Sequence, residues 1–281
     1  MRSRPFMQVD VFSPTPYQGN PLAVVLDAEG LGDEQMQRFA RWTNLSETTF
    51  LLPPSAQGRA QGADYRVRIF TPGGELPFAG HPTLGSCHAW LAAGGRGAQP
   101  GRVVQECAKG LIALRQGADG MLAFAAPASV RRPIGEDQLA PVLAALGLRR
   151  QEVRACQELN NGPSFWALLL ADAERVVNAR VDLAALHALR ASVGLAGLRP
   201  RPSAQPELEV RVFYCAGPTT FEDPITGSFN ASLAQWLLDE GRIQTPYRAS
   251  QGTGLVRVEQ EGGAIWIGGH VSACVRGEVW L

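Results

Sequence analysis

Residues 67–91 and 210–234 read as two copies of one segment set 143 positions apart. At that offset Arg68 coincides with Arg211, Phe70 with Phe213, Gly74 with Gly217, Phe78 with Phe221 and Thr83 with Thr226. Each copy runs from an apolar strand pattern (VRIFT, VRVFY) through a Gly/Pro turn into a helix start, GHPTLGSCHAWLA and then DPITGSFNASLAQWLL. A fainter echo sets Gly19-Asn20-Pro21 against Gly162-Pro163. A repeat that keeps strand, turn and helix at matching places predicts two pseudo-symmetric halves with one site built between them.

Composition narrows the function classes. A chain of 281 residues suits about two domains and buries roughly 75% of its unfolded surface. Zero net charge and 19% charged residues give no basic footprint for nucleic acid. The N-terminus enters a strand-like alternation directly, without the apolar stretch of a secretory signal. No segment reaches the roughly 18 apolar residues of a membrane span. The five cysteines (Cys87, Cys107, Cys156, Cys215, Cys274) are scattered and lack a CxxC pair, which fits reduced core residues in a cytoplasmic protein.

Alternation and β-branched runs between Gly/Pro breaks predict strands at 7–12, 22–26, 48–52, 65–71, 103–107, 111–115, 120–125, 153–158, 165–170, 208–215, 254–259, 264–268 and 274–280. Helices are expected at 33–42, 82–93, 136–146, 182–193 and 227–240, and loops at 53–63, 94–101 and 197–207. The helices at 82–93 and 227–240 are small or apolar nearly all round, as in a helix wrapped by strands. The passage from one half to the other is expected near 116–133.

Chemistry concentrates at those two helix starts. A first helical turn leaves N–H groups unpaired and carries partial positive charge, so two such ends facing one another suit a carboxylate. Gly80, Gly85 and Gly227 allow close backbone approach, and Pro82 suits the first helical position. His81 can donate to a ligand carboxylate or simply hold backbone. Asp223 can cap its helix, face the site, or do both, with Gly227 and Ser228 adding an N–H and a hydroxyl. His88 reads as core, and His187 and His270 have no chemical context. No HExxH or comparable spacing points to a metal. Glu47, in NLSETTF (44–50), lies in a polar break before an apolar strand. It is either a surface carboxylate or, if buried, a general acid/base with a raised pKa.

GNPLAVV (19–25), NLSETTF (44–50), RIFTPGGELPFAGHPTLG (68–85), EDPITGSFN (222–230) and QGTGLVRV (251–258) together resemble the phenazine-biosynthesis isomerase family, the PhzF-like proteins. The resemblance implies a diaminopimelate-epimerase-like α+β fold, in which each of two domains wraps a mostly antiparallel, barrel-like sheet around a central helix. It places residues 1–118 with 270–281 in the first domain and 119–269 in the second, and implies a homodimer using no metal or organic cofactor. By the same resemblance Glu47 is the proton-carrying residue, His81, Asp223 and Ser228 complete the catalytic set, and Gly80 and Gly227 bind an anion through backbone. Asn20, Thr83 and Thr226 are expected to join them in binding the substrate.

The related epimerases use one cysteine in each repeat as acid and base. The comparable places here are Ala79 and Pro224, neither able to carry a proton, while Cys87 and Cys215 fall elsewhere in the pattern. The expected function is therefore a cofactor-independent isomerase that moves a proton within a small carboxylic acid. An amino- or hydroxy-acid epimerase or racemase, and a non-catalytic carboxylate-binding protein, are the alternatives. Phe229, where the family often has a small residue, either narrows the pocket or packs in the core.

Overall fold

The computed structural model describes residues 1–200, 204–216 and 219–281; Gly217, one of the repeat positions, lies outside the described residues, as does part of the expected 197–207 loop. The chain divides into two compact units, Met1–Ala125 with Trp266–Leu281, and Ala126–Ile265. The expected boundaries were 118/119 and 269/270.

In the first unit, Ser3–Val11 pairs antiparallel with Asn20–Val25 on one side and with Val271–Trp280 on the other. Asn20–Val25 lies parallel to Glu47–Leu52, a pairing that needs a crossover, supplied by the helix Asp33–Thr43. That helix buries Met36, Phe39 and Ala40, places Asp33 and Glu34 in its first turn, and ends on Asn44 in the left-handed region at φ 54°. Glu47–Leu52 continues antiparallel to Tyr65–Thr71, which pairs with Gly74–Leu76 and, in parallel, with Arg102–Cys107. Gly110–Gln116, Leu122–Ala125 and residues 266–269 of the strand Ala264–Gly269 complete the run. The helix Gly80–Ala92 packs against these strands with every residue from Gly80 to Cys87 buried.

The second unit has the same pairing sequence. Val153–Asn160 pairs antiparallel with Ser164–Leu170, and Ser164–Leu170 runs parallel to Val193–Leu198. Val193–Leu198 is antiparallel to Leu208–Ala216, which pairs with Thr219–Asp223 and, in parallel, with Tyr247–Gln251. Tyr247–Gln251 then meets Gly254–Glu261, and the short strand Val130–Arg132 lies beside Val153–Asn160. The helix Gly227–Asp239 is buried from Gly227 through Ala234.

Several expectations need correction. The helix expected at 182–193 stops at Ala188, and Val193–Leu198 is a strand. Its glycines look like breakers in sequence, but a Cβ at Gly194 would lie 2.1 Å from the Phe229 ring, and one at Gly197 would lie 2.2 Å from the Asp172 carbonyl. The strands Gly74–Leu76, Val130–Arg132, Thr219–Asp223 and Tyr247–Gln251 were not anticipated, being short or polar. The expected 53–63 loop contains the short helix Ala56–Ala60, and Ala173–Val177 is also helical. Pro82 sits third in its helix rather than first, still within the turn that needs no N–H.

The repeated residues outside the helix starts are scaffold. Arg68 makes paired bonds of 2.7 and 2.6 Å to Glu75 and lies 5.0 Å over Phe70. Arg211 makes paired bonds of 2.7 and 2.9 Å to Glu222 and lies 5.0 Å over Phe213. A guanidinium fork held by a carboxylate and stacked on an aromatic face pins each strand to its return strand. Among the described residues no helix is long and apolar enough to cross a membrane.

Candidate active site

The first unit gathers Asn20, Glu47, Gly80 and His81. Asn20 opens its strand and Glu47 opens the next, and the parallel register (Leu22 opposite Glu47) sets them side by side. The extended residue Ala79 then starts the buried helix, so His81 enters at its second position. His81 is 3% exposed and Glu47 is 8% exposed. The His81 ring presents Nδ1 at 3.4 Å from the Asn20 amide nitrogen and Nε2 at 3.5 Å from Glu47 Oε2. Burial pushes His81 down to about 3, outweighing the opposite effect of a hydrogen bond with the Pro21 carbonyl. The ring is therefore neutral at ordinary pH, and its 3.5 Å approach to Glu47 is not an ion pair.

The second unit gathers Asp223, Thr226, Gly227 and Ser228. Asp223 ends the strand Thr219–Asp223, and Thr226 is the residue that caps the helix. Asp223 is thus not the cap; instead its Oδ2 accepts a 2.5 Å hydrogen bond from the Thr226 hydroxyl. Gln251 braces this turn from the strand Tyr247–Gln251. Its amide nitrogen donates to the Asp223 carbonyl at 2.8 Å and to the Thr226 hydroxyl at 3.1 Å, while its oxygen accepts from the Thr226 N–H at 2.9 Å. Asn230 adds a bond of 2.9 Å to the Thr226 carbonyl.

Two threonines expected to bind substrate are committed within the protein. Thr83 is fully buried, donating to the Ala79 carbonyl at 2.9 Å and accepting from Gln105 at 3.1 Å, which in turn accepts from Tyr65. Thr226 holds Asp223, as above. Gly85 serves packing rather than a ligand: a Cβ there would lie 2.6 Å from Leu22. Phe229 is core, edge-on to Phe165 at 5.5 Å.

Two amides had escaped notice in the sequence. Asn161, fully buried, donates at 2.9 Å to the carbonyl of Ser228, the second residue of its helix. Asn20 touches the second residue of the other helix, so each unit fixes its helix start with an asparagine from the preceding hairpin. The displaced Asn-Gly-Pro echo in the sequence was the available signal. Gln251 lay within a recognisable motif but had no role attached to it.

Comparison with known proteins identifies the family. Residues 9–265 match the PhzC–PhzF family model, described as phenazine biosynthesis-like protein. The antisense-enhancing sequence 1 protein of Schizosaccharomyces pombe is 30% identical, with both chains covered in full. An uncharacterized isomerase of Pasteurella multocida is 31% identical over 97% of this chain and 93% of its own. The trans-2,3-dihydro-3-hydroxyanthranilate isomerase of Pseudomonas aeruginosa is 52% identical over a shorter stretch, 30% of this chain and 28% of that protein. Among solved structures, the PhzF-family protein of Bacillus anthracis superposes with a TM-score of 0.81 at 22% identity, covering 100% of both chains. A probable proline racemase of Agrobacterium radiobacter shares the diaminopimelate-epimerase-like fold, with a TM-score of 0.65 at 14% identity over 99% of this chain and 93% of that one. The chain therefore belongs to the phenazine biosynthesis-like, PhzC–PhzF, family, and the enzyme class it carries is that of an isomerase.

Proposed function

We propose that this isomerase moves a proton within a small unsaturated carboxylic acid, without a cofactor, using Glu47 as the single acid/base. The observation that carries the reading is the buried Glu47 carboxylate facing a neutral imidazole at 3.5 Å. A carboxylate held away from water is a stronger base than in solution, and a neutral neighbour does not neutralise it. Glu47 removes a C–H proton beside the substrate's unsaturation, the charge spreads over the conjugated system, and the same carboxyl group returns the proton to another carbon.

In this reading the two units are copies from an internal duplication, and their half-sites address one substrate in a cleft between them. The substrate carboxylate meets the helix starts at 80–83 and 226–228, where unpaired N–H groups favour an anion. His81, Asp223 and Ser228 orient the substrate and stabilise the developing anion, with Asp223, held by Thr226, accepting from a substrate N–H or O–H. Asn20, Gly80, Thr83, Thr226 and Gly227 shape and support that surface. A homodimer in the cytoplasm completes the proposal. Epimerisation through two bases is less well supported, since Ala79 and Pro224 offer no proton on either side.

The test is solvent exchange. The protein is incubated in D2O with trans-2,3-dihydro-3-hydroxyanthranilate and a panel of small unsaturated cyclic acids, and the C–H signals are followed by NMR. Glu47→Gln is expected to slow exchange or conversion by about a hundredfold or more. A Glu47→Gln rate within about threefold of wild type, on a substrate the wild type turns over, would overturn the single-base reading.

A further inference from the structure

His187, which has no context in the sequence, has one in the structure. It lies on the short helix Leu183–Ala188, and its Nδ1 is 3.9 Å from Cys215 Sγ and 3.2 Å from the Thr220 hydroxyl oxygen. Cys215 and Thr220 face each other across the hairpin of Leu208–Ala216 and Thr219–Asp223. Both Cys215 and His187 are half-buried, open enough for a small reagent to reach. Burial raises the pKa of Cys87, to about 12, and of Cys107, Cys156 and Cys274.

We infer that Cys215 is a covalent modification site for α,β-unsaturated carbonyl compounds, with His187 as its proton acceptor and Thr220 as the group that orients the imidazole. The thiol proton passes to Nδ1, and the Thr220 hydroxyl turns from donating to that nitrogen to accepting from it. The thiolate sulfur bonds to the β-carbon, the double-bond pair moves to the α-carbon, and the imidazolium returns the proton there. Nothing leaves and nothing is oxidised or reduced. An imidazole partner favours the nucleophilic thiolate, which an apolar surrounding does not. The modified hairpin ends at Asp223, with Val212 opposite it three residues before Cys215.

N-ethylmaleimide is the probe. Native protein is treated with less than one equivalent at pH 7, quenched, digested and read by mass spectrometry at all five cysteines. Cys215 should react first, about tenfold or more ahead of the half-buried Cys156 and Cys274. His187→Gln should slow Cys215 by about tenfold and leave Cys156 and Cys274 unchanged, a selectivity that general loosening would not produce. If the buried Cys87 becomes reactive in that variant it has lost its fold, and His187→Asn is read in its place. Reaction of Cys215 within about threefold of Cys156 and Cys274, or a rate indifferent to loss of His187, would overturn the inference.

Discussion

His81 carries a consequence for stability as well as for chemistry. Its ordinary pKa of 6.5 falls to about 3 in the folded protein because burial disfavours the imidazolium. In the unfolded chain the ring protonates near its ordinary value, so below that pH the unfolded state binds a proton that the folded state refuses. The group's contribution is therefore complete above about pH 6.5 and is lost as pH falls towards 3, at about 1.4 kcal/mol per pH unit. Denaturant unfolding at pH 7, 6, 5 and 4 should show this slope in the wild type and its removal in His81→Asn. Parallel stability curves would mean that the ring protonates in place. The proton-relay reading of Glu47 needs the same neutral ring, since an imidazolium at 3.5 Å would hold the carboxylate as an ion pair and weaken it as a base.

At the scale of elements, Gln251 braces the turn that leads into the second buried helix. Its one amide satisfies the Thr226 N–H, the Asp223 carbonyl and the Thr226 hydroxyl, all buried. Gln251→Leu keeps the volume and removes these partners, at a cost of about 2–3 kcal/mol. The turn between Asp223 and the helix should loosen, so turnover should fall through kcat while Glu47-dependent exchange retains its pH profile; an unchanged melting temperature and kcat would refute the bracing role. Such amides explain which parts of the site could be read in advance. Gly80, His81 and Ser228 stood out because glycine and polar residues at the starts of apolar helices break a pattern. Asn161 and Gln251 break none, and their importance arises from hydrogen bonds across 67 and 25 residues of chain. The strand Val193–Leu198 was hidden for a related reason. Gly194 signals a break locally, while its need comes from the Phe229 ring packed against it. The long strands and both buried helices were legible because length and apolar periodicity are local properties.

For the whole molecule, the chain's path makes its ends a structural element of the first unit. Val271–Trp280 pairs with Ser3–Val11 over nearly its full length, from Ser3 opposite Trp280 to Val11 opposite Val271. The ends are tied further by bonds of 2.7 Å from the Arg2 N–H to the Leu281 carbonyl and 3.1 Å in return. Half of this final strand is exposed and only Ser272 is buried, so its value lies in the hydrogen-bond ladder more than in buried apolar area. Removing residues 270–281 would leave the inner edge of Ser3–Val11 unpaired along that ladder and uncover the cluster of Val25, Phe39 and Phe50 that Val279 and Leu281 cover. By contrast, adjacent ends tolerate joining, and the exposed turn at Ala118–Asp119 tolerates opening. A circular permutant with residues 281 and 1 linked and new ends at 118/119 should keep the wild-type circular dichroism and cooperative melting, whereas the 1–269 truncation should lose the first unit. The comparison separates continuity of sequence from continuity of the sheet. If the truncated chain melts like the wild type, the returning strand is an ornament on a unit already complete; if the permutant alone survives, the pairing of the two ends is what closes the first unit around its helix.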